Sequence, residues 1–451
     1  MHTIRDAINT ITDKDGHPST KKEYPVDMQN VACLILGGGQ GSRLHPLTLT
    51  RCKPAICFGG RYRLIDVPVS NSINSHIQKI FIVTQFLSSS LHRHILQTYR
   101  LDTFSTGFIE LLGAEQKPDK NSWYQGTADA VRQNLEYLIE TPADYFLILS
   151  GDQLYHMDFQ KMVRYAMQKD VDVLVAALPV SEKDANRMGI MKINEDHHIV
   201  DFHEKPDDVA LLEKLRTASS TLEKMGLDAR DNKPYLASMG IYLFKREALF
   251  NLLKNDPRED FGKHLIPNKV KQGSIAAYPH NGYWEDIGTI ESFHKANIAL
   301  CAKEPLFDCY NEKHPIYTHG YHLPGPKIYN TEVTNSIICE GSIIEADEIS
   351  NSLLGPRSVI KKGSIIRDTY VMGNEFYHAP SRSSHNGPEH PFIDENCIIR
   401  HAIIDKNAVI GKGVQLINKG RLTHYDSKNI FIRDGVIVVL RGAVIPDGFI
   451  L

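Results

Sequence analysis

From Val31 onward, short apolar runs alternate with stretches of helical period. The runs "VACLIL" (31–36), "KIFIVTQF" (79–86), "YFLILSGD" (145–152) and "VDVLVAALPV" (171–180) read as buried strands. Between them, "TADAVRQNLEYLIE" (127–140) reads as a helix, with Thr127 as N-cap, Asp129 in the first turn, and Val131, Leu135 and Leu138 on one face. Strands separated by helical segments imply βαβ units and a mostly parallel sheet. Ligands in such sheets bind at the carboxyl ends of strands. The turns after Leu36 and after Ser150 are therefore predicted to face one crevice.

Beyond about residue 300 the period changes. Residues 301–327 contain four prolines and few helix signals, and read as a linker. Apolar pairs then recur about every six residues: Ile337/Ile338, Ile343/Ile344, Ile349 after a one-residue slip, Leu353/Leu354, Val359/Ile360, Ile365/Ile366 and Val371/Met372. The pattern breaks at 373–396, a predicted protruding loop. It resumes at Ile398/Ile399, Ile403/Ile404 and Val409/Ile410. Neither a helix nor a flat strand has this period, and hexapeptide repeats signal a parallel β-helix. The predicted organisation is a polar arm (1–30), a catalytic domain (31–300), a linker (301–330) and a β-helix (331–451).

With 451 residues the chain is too long for one ordinary core, in keeping with that division. A formal net charge of −3 without a long basic run argues against a nucleic-acid partner. No stretch of about 18 apolar residues suggests a membrane span. The first residues lack the apolar core of a signal peptide, and their acids disfavour a transit peptide. Seven scattered cysteines without C-x-x-C suit free thiols in a reducing compartment, so a cytoplasmic location is expected, or the plastid stroma if a transit peptide has been removed.

Candidate chemistry begins at "LILGGGQGSRLHPLTLTRCKP" (34–54). The spacing from Gly37 fails the P-loop pattern, because Ser42 and Arg43 stand where glycine and lysine are needed. It also fails the dinucleotide fingerprint, whose third glycine would be at Ser42 and whose acid lies about 20 residues on, nearer than Asp66. The glycines alone describe a tight turn. Arg43 and Lys53 make Gly37, Gly38 and Gly39 a candidate polyphosphate cradle. Asp152 in "LILSGDQLY" and Asp286 in "GYWEDIGT" are oxygen ligands of the kind that hold Mg²⁺ and phosphates, although as lone acids each also fits a turn or cap. Glu204 and Lys205 precede Pro206, which favours an extended Lys205; a solvated charged turn is the alternative. Tyr124, Gln125 and Gly126 stand just before a helix start, where an amide side chain could read a base edge and backbone N–H groups point outward. The 21 histidines form no H-E-x-x-H pair, so none is assigned to zinc, and no G-x-S-x-G elbow occurs.

In order along the chain, "LILGGGQGSRLHPLTLTRCKPAICFGG", "YRLIDVPVSNSINS", "WYQGTADAV", "LILSGDQLY", "FHEKP", "ASMGIYLF" and "YWEDIGT" resemble the ADP-glucose pyrophosphorylases (glucose-1-phosphate adenylyltransferases). "HPIYT", "IIDKNAVIG", "INK" and "IPDGFIL" are similar to the cyanobacterial and plant small-subunit type. The resemblance implies an α/β fold: a mostly parallel, Rossmann-like nucleotidyltransferase domain followed by a left-handed parallel β-helix. It implies ATP plus glucose 1-phosphate giving ADP-glucose and pyrophosphate, with Mg²⁺ as cofactor, in a homotetramer serving glycogen or starch synthesis.

By the same resemblance, the glycine loop, Gln125 and Gly126 bind ATP, Arg43 and Lys53 act on the departing pyrophosphate, and Asp152 is the third catalytic residue. Asp152 and Asp286 hold Mg²⁺. Tyr124, Gly189, Glu204, Lys205 and Ser238 line the glucose 1-phosphate site. Arg51, Arg63, Lys419 and Arg441 are expected to bind anionic effectors, activating 3-phosphoglycerate and inhibitory phosphate. Gln153 stands where the family commonly has histidine, and Arg441 where it usually has lysine. Two rivals share the fold: a uridylyl/acetyltransferase with a longer β-helix, and a regulatory subunit that has lost its chemistry. Arg43 and Lys53 are both present, which favours a competent catalyst. Cys33 lies inside a predicted strand, so no N-terminal disulfide control is expected.

Overall fold

The computed structural model describes residues 26–102, 104–115, 123–228, 232–377 and 392–451. Most of the polar arm and the middle of the 373–396 segment lie outside these residues. A nine-stranded sheet organises the first domain. Val31–Leu36 is its centre, paired in parallel with Lys79–Thr84 on one side and Tyr145–Ser150 on the other. Phe108–Gly113 extends the parallel half. All six residues of Lys79–Thr84 except the first are buried, the signature of a strand covered on both faces.

The other half of the sheet is built around Tyr235–Lys245, antiparallel to both Tyr145–Ser150 and Val173–Val180. Its register shifts between Ser238 and Tyr242, and Gly240 sits at φ +69°. This bulge re-aims Ser238 and Met239 toward the crevice, as bulges beside active sites commonly do. The hairpin Gly189–Ile193/Ile199–Glu204 joins the same edge.

The predicted helix at 127–140 is two helices, Thr127–Gln133 and Leu135–Glu140, broken at Asn134 (φ −105°, ψ 17°). The Asn134 amide donates to the Ala130 carbonyl and to the Tyr124 hydroxyl, a side-chain bond that competes with the helix ladder. Gly126, not Thr127, holds the N-cap position, and Thr127 Oγ1 accepts from the Phe261 N–H.

The hexapeptide pairs become the short parallel strands of the second domain. Ile343 pairs with both Lys327 and Val359, and Ile349 with Val333 and Ile366, so one coil takes sixteen or seventeen residues over three faces. The one-residue slip at Ile349 belongs to the sixteen-residue coil, and the extra residue of the longer coil falls between Ile360 and Ile366. Corners fall at left-handed residues such as Asn335, Asn351, Asn396 and Asn407, the non-glycine type that tolerates this region best. The first coil strand is Lys327–Ile328, four residues ahead of the predicted start. Ile344, Ile360, Ile366, Ile399 and Ile410 stack inside.

One further core joins the two domains. Leu44, Ile56, Phe58, Ile287 and Phe293 from the first pack with Leu353, Tyr370, Ile403 and Val438 from the second. Arg51 reaches across the same contact to Asp405 in a buried ion pair.

Candidate active site

The crevice at the strand ends encloses about 530 Å³. Gly38 and Gly39 line one side; Tyr124, Gln125 and Gly126 form the rim; Asp152 and Asp286 lie at the floor; and Gly189, Glu204, Lys205 and Ser238 form the far wall. Eleven residues selected from the sequence thus share one cavity. Gly37 differs: its N–H donates to the Val83 carbonyl, so the sheet consumes it. The space beside Gly39 is open, whereas Gly41 is left-handed at φ +62° with Thr48 and Lys53 packed closely against it.

Asp152 and Asp286 are brought together by pairing distant in sequence. Gln153–Tyr155 forms a two-stranded ribbon with Trp284–Asp286, with Gln153 directly opposite Asp286. The carboxylates share one cation: Lys53 Nζ stands 2.6 Å from Asp152 and 3.4 Å from Asp286. Burial opposes the charge on Lys53, but the two aspartates hold its ammonium above the ordinary range. Burial likewise works to raise Asp152, and Lys53 with the Ser150 hydroxyl holds it low. Asp152 is therefore ionised, and both carboxylates face the Lys53 ammonium beside an open, polar cleft. That oxygen donor set suits Mg²⁺, which is bound through one or two carboxylates and keeps positions for water and phosphate. Arg43 lies alongside: a Cβ on Gly288 would stand 3.4 Å from its guanidinium.

On the far wall, Glu204 is flanked by two glycines whose side chains would collide with it. A Cβ would come within 2.7 Å of its carboxylate from Gly189 and within 2.9 Å from Gly262. Burial raises Glu204 above the ordinary range, partly offset by Lys205, whose ammonium is 3.5 Å away. Lys205 corrects a sequence expectation. Despite the proline that follows, it is not extended but sits at φ +51°, with its N–H on the Met188 carbonyl. A strained residue of this kind persists only where its surroundings fix it, and it clusters at ligand sites.

The rim also differs from expectation. The N–H groups of Ala128 and Asp129 both donate to the Glu259 carbonyl, at 2.8 and 3.0 Å, so the helix start is capped rather than offered outward. Gly126 is extended, and its need for glycine is steric: a Cβ would meet that same carbonyl oxygen at 2.5 Å. Gln125 is held by its N–H to Asp129 and by its amide to the Trp123 carbonyl. The Tyr124 hydroxyl donates to the Gly113 carbonyl.

The family models match in two pieces, which together account for most of the chain. The nucleotidyl transferase model covers residues 32–303. The chain belongs to the nucleotidyl transferase family. The GLGC left-handed parallel beta-helix domain model covers residues 321–450. The α/β domain with its mostly parallel sheet followed by a left-handed parallel β-helix is thus the fold, and the pairing of these two domains supports the ADP-glucose pyrophosphorylase resemblance. No described helix is long and apolar enough to cross a membrane.

The four cations expected to bind effectors do not form one open cluster. Arg51 is 3% exposed and spent on Asp405. Arg63 donates to the Ser90 carbonyl. Arg441 pairs with Glu375 at 2.6 Å, and Glu375 in turn accepts from Asn407. Lys419 is exposed, and no described contact joins it to the others. What the sequence reading missed is Lys406, in the quoted "IIDKNAVIG". It is buried and 3.4 Å from the Tyr321 hydroxyl. Burial works to raise the Cys57 thiol, but Lys406, Arg63 and Arg51 together pull it below its ordinary range. The β-helix corner 405–407 links Arg51, through Asp405, and Arg441, through Glu375 and Asn407. Cys33 is fully buried, and its thiol is pushed up to about 12 by that burial.

Proposed function

We propose that this chain transfers the adenylyl group of ATP to glucose 1-phosphate, releasing pyrophosphate and forming ADP-glucose, the step that commits glucose to glycogen or starch. The observation that carries this reading is the convergence of Asp152, Asp286 and Lys53 between a bare glycine loop and a wall with one carboxylate, one lysine and one serine. Gly38 and Gly39 approach the triphosphate, with Arg43 and Lys53 on the departing charge. Gln125 and Gly126 contact adenine. Tyr124, Gly189, Glu204 and Ser238 accept the sugar, and Lys205 takes its phosphate. Asp152 and Asp286 would hold Mg²⁺, which supplies Lewis-acid neutralisation of phosphate charge.

No general base is required. A phosphate oxygen of glucose 1-phosphate is already anionic near neutral pH, since the second phosphate pKa is about 6. That oxygen forms a bond to the α-phosphorus of ATP. The bond from the α-phosphorus to the bridging oxygen breaks, and its electron pair leaves with pyrophosphate. The protein's task is to bring two polyanions together and to stabilise the charge that leaves. Among the described residues lining the cleft there is no triad or histidine, consistent with that task.

Regulation by small phosphorylated anions, with 3-phosphoglycerate opposed by phosphate, is part of the same reading. Lys406 and Arg441 beside the β-helix corner, together with Arg63, are its proposed ligands, and a homotetramer is its expected assembly. Arginine at 441 would grip phosphate as a planar fork rather than a point charge. Pyrophosphate release from each nucleoside triphosphate with glucose 1-phosphate tests the catalytic reading. Turnover with ATP far above the others supports it, and preference for another nucleotide overturns it.

A further inference from the structure

Gln153 follows Asp152 directly, lines the cleft and is 7% exposed. Its amide makes two bonds to different walls. Nε2 donates to the Met239 carbonyl at 2.9 Å, and Oε1 accepts from the Trp284 indole N–H at 3.2 Å. The indole can only donate and the carbonyl can only accept, so the partners fix the orientation of the amide. Met239 lies in the bulge that carries Ser238. Trp284 lies two residues before Asp286 on the strand paired with Gln153. One buried side chain thus ties the sugar wall to the strand bearing the second aspartate, from the position adjoining the first. Gly240 beside it is left-handed at φ +69°, which is what favours glycine there.

We infer that Gln153 is a positioning residue that sets the separation of Asp152 and Asp286 and aligns them with the sugar wall. It requires one hydrogen-bond donor and one acceptor on a single side chain. Neutral imidazole also supplies one of each, on opposite sides of its ring. Histidine therefore satisfies the same two partners, whereas glutamate keeps only the acceptor and methionine keeps neither. The inference rests on the adenylyl-transfer reading for its kinetic arm, but the hydrogen-bond arm stands without it.

Four variants test it: Q153M, Q153E, Q153H and W284F, with the Q153M/W284F double variant. Partners that orient metal-binding carboxylates typically cost 10–100-fold when removed. Q153M and Q153E are expected to lower kcat by about that factor, to raise the half-saturating Mg²⁺ concentration, and to leave KM for ATP and for glucose 1-phosphate within about threefold. Q153H should recover most of kcat. W284F should act in the same direction, and the double variant should be no worse than the more severe single one.

The second readout needs no turnover. The chain has two tryptophans, and in a Trp123→Phe background the emission of Trp284 should shift in Q153M and return toward the parent in Q153H. Wild-type activity decides the adenylyl-transfer reading, and only the variant comparison decides the role of Gln153. Retention of kcat within twofold in Q153M would overturn the inference. So would a KM effect confined to glucose 1-phosphate, which would make Gln153 a sugar contact. Failure of Q153H to do better than Q153M, or an unchanged Trp284 emission, would do the same.

Discussion

Replacing Lys53 with methionine removes the shared cation while keeping most of the side chain's bulk. In the metal-free protein, Asp152 and Asp286 are then left facing each other. Stripping one partner from a fully buried pair costs about 3–5 kcal/mol, and an exposed pair is worth under about 1. The Lys53 side chain is 9% exposed, Asp152 23% and Asp286 42%. The loss should fall between those limits, at about 2 kcal/mol, or roughly 4–8 °C in the melting temperature of the domain. The sign with pH follows from the shifts. Lys53 is raised, so its contribution is present below the ordinary lysine value of 10.5 and is lost only as pH rises through the folded value. Asp152 is lowered, so its contribution is present above its ordinary 3.8 and is lost only as pH falls through the folded value. The gap between wild type and K53M should therefore be flat from about pH 5 to about pH 9. Magnesium should reverse the order of response. In the wild type it must displace an ammonium, and in K53M it need not, so a tenfold tightening would add about 1.4 kcal/mol of metal-dependent stabilisation. Thermal denaturation in chelator and in saturating magnesium measures both effects. Equal stability in chelator, together with an equal or smaller magnesium shift in K53M, would refute the shared-cation argument. Turnover of K53M should fall by orders of magnitude while the protein stays folded.

Lys205→Ala should raise KM for glucose 1-phosphate far more than for ATP, by about 30-fold if one charged contact worth about 2 kcal/mol is lost; equal effects on both substrates would mean that Lys205 only supports the fold. Glu204→Gln tests the raised carboxyl. Burying its charge costs stability that appears as pH rises above the ordinary 4.5 through the folded value, so the variant should melt higher than wild type near neutral pH and not in acid, as a pH series of melting curves would show. For effectors, titration with 3-phosphoglycerate and phosphate at subsaturating ATP should show a weakened response in Arg441→Ala and Lys406→Ala and little change in Lys419→Ala; a flat response in the wild type would mean that the site is silent.

The architecture was legible because it is written in local period. The hexapeptide pairs became β-helix strands, and the apolar runs became the central sheet. What local period cannot carry is pairing across the chain. Asp152 and Asp286 each fitted a turn acid as well as a metal ligand until a ribbon between strands 131 residues apart set them face to face. Two local rules also lost to tertiary contacts. Asn134 breaks a good helical pattern because its amide bonds Ala130 and Tyr124. Lys205 takes a left-handed backbone before proline because its N–H is claimed by Met188. Lys406, and the bonding of Gln153, which the sequence marks only as a departure from the family, escaped the sequence reading for a similar reason. Nothing in their immediate sequence says that one is buried against Tyr321 and that the other joins two walls of a cleft.

A single assay bears most directly on the chemistry: pyrophosphate release by wild-type protein with glucose 1-phosphate and magnesium, run in parallel with ATP, UTP, GTP, CTP and dTTP, and repeated with Asp152→Asn. Release with ATP well above the other nucleotides, lost by orders of magnitude in the variant, is the predicted result. Release with another nucleotide in preference to ATP, or undiminished release by Asp152→Asn, would contradict it.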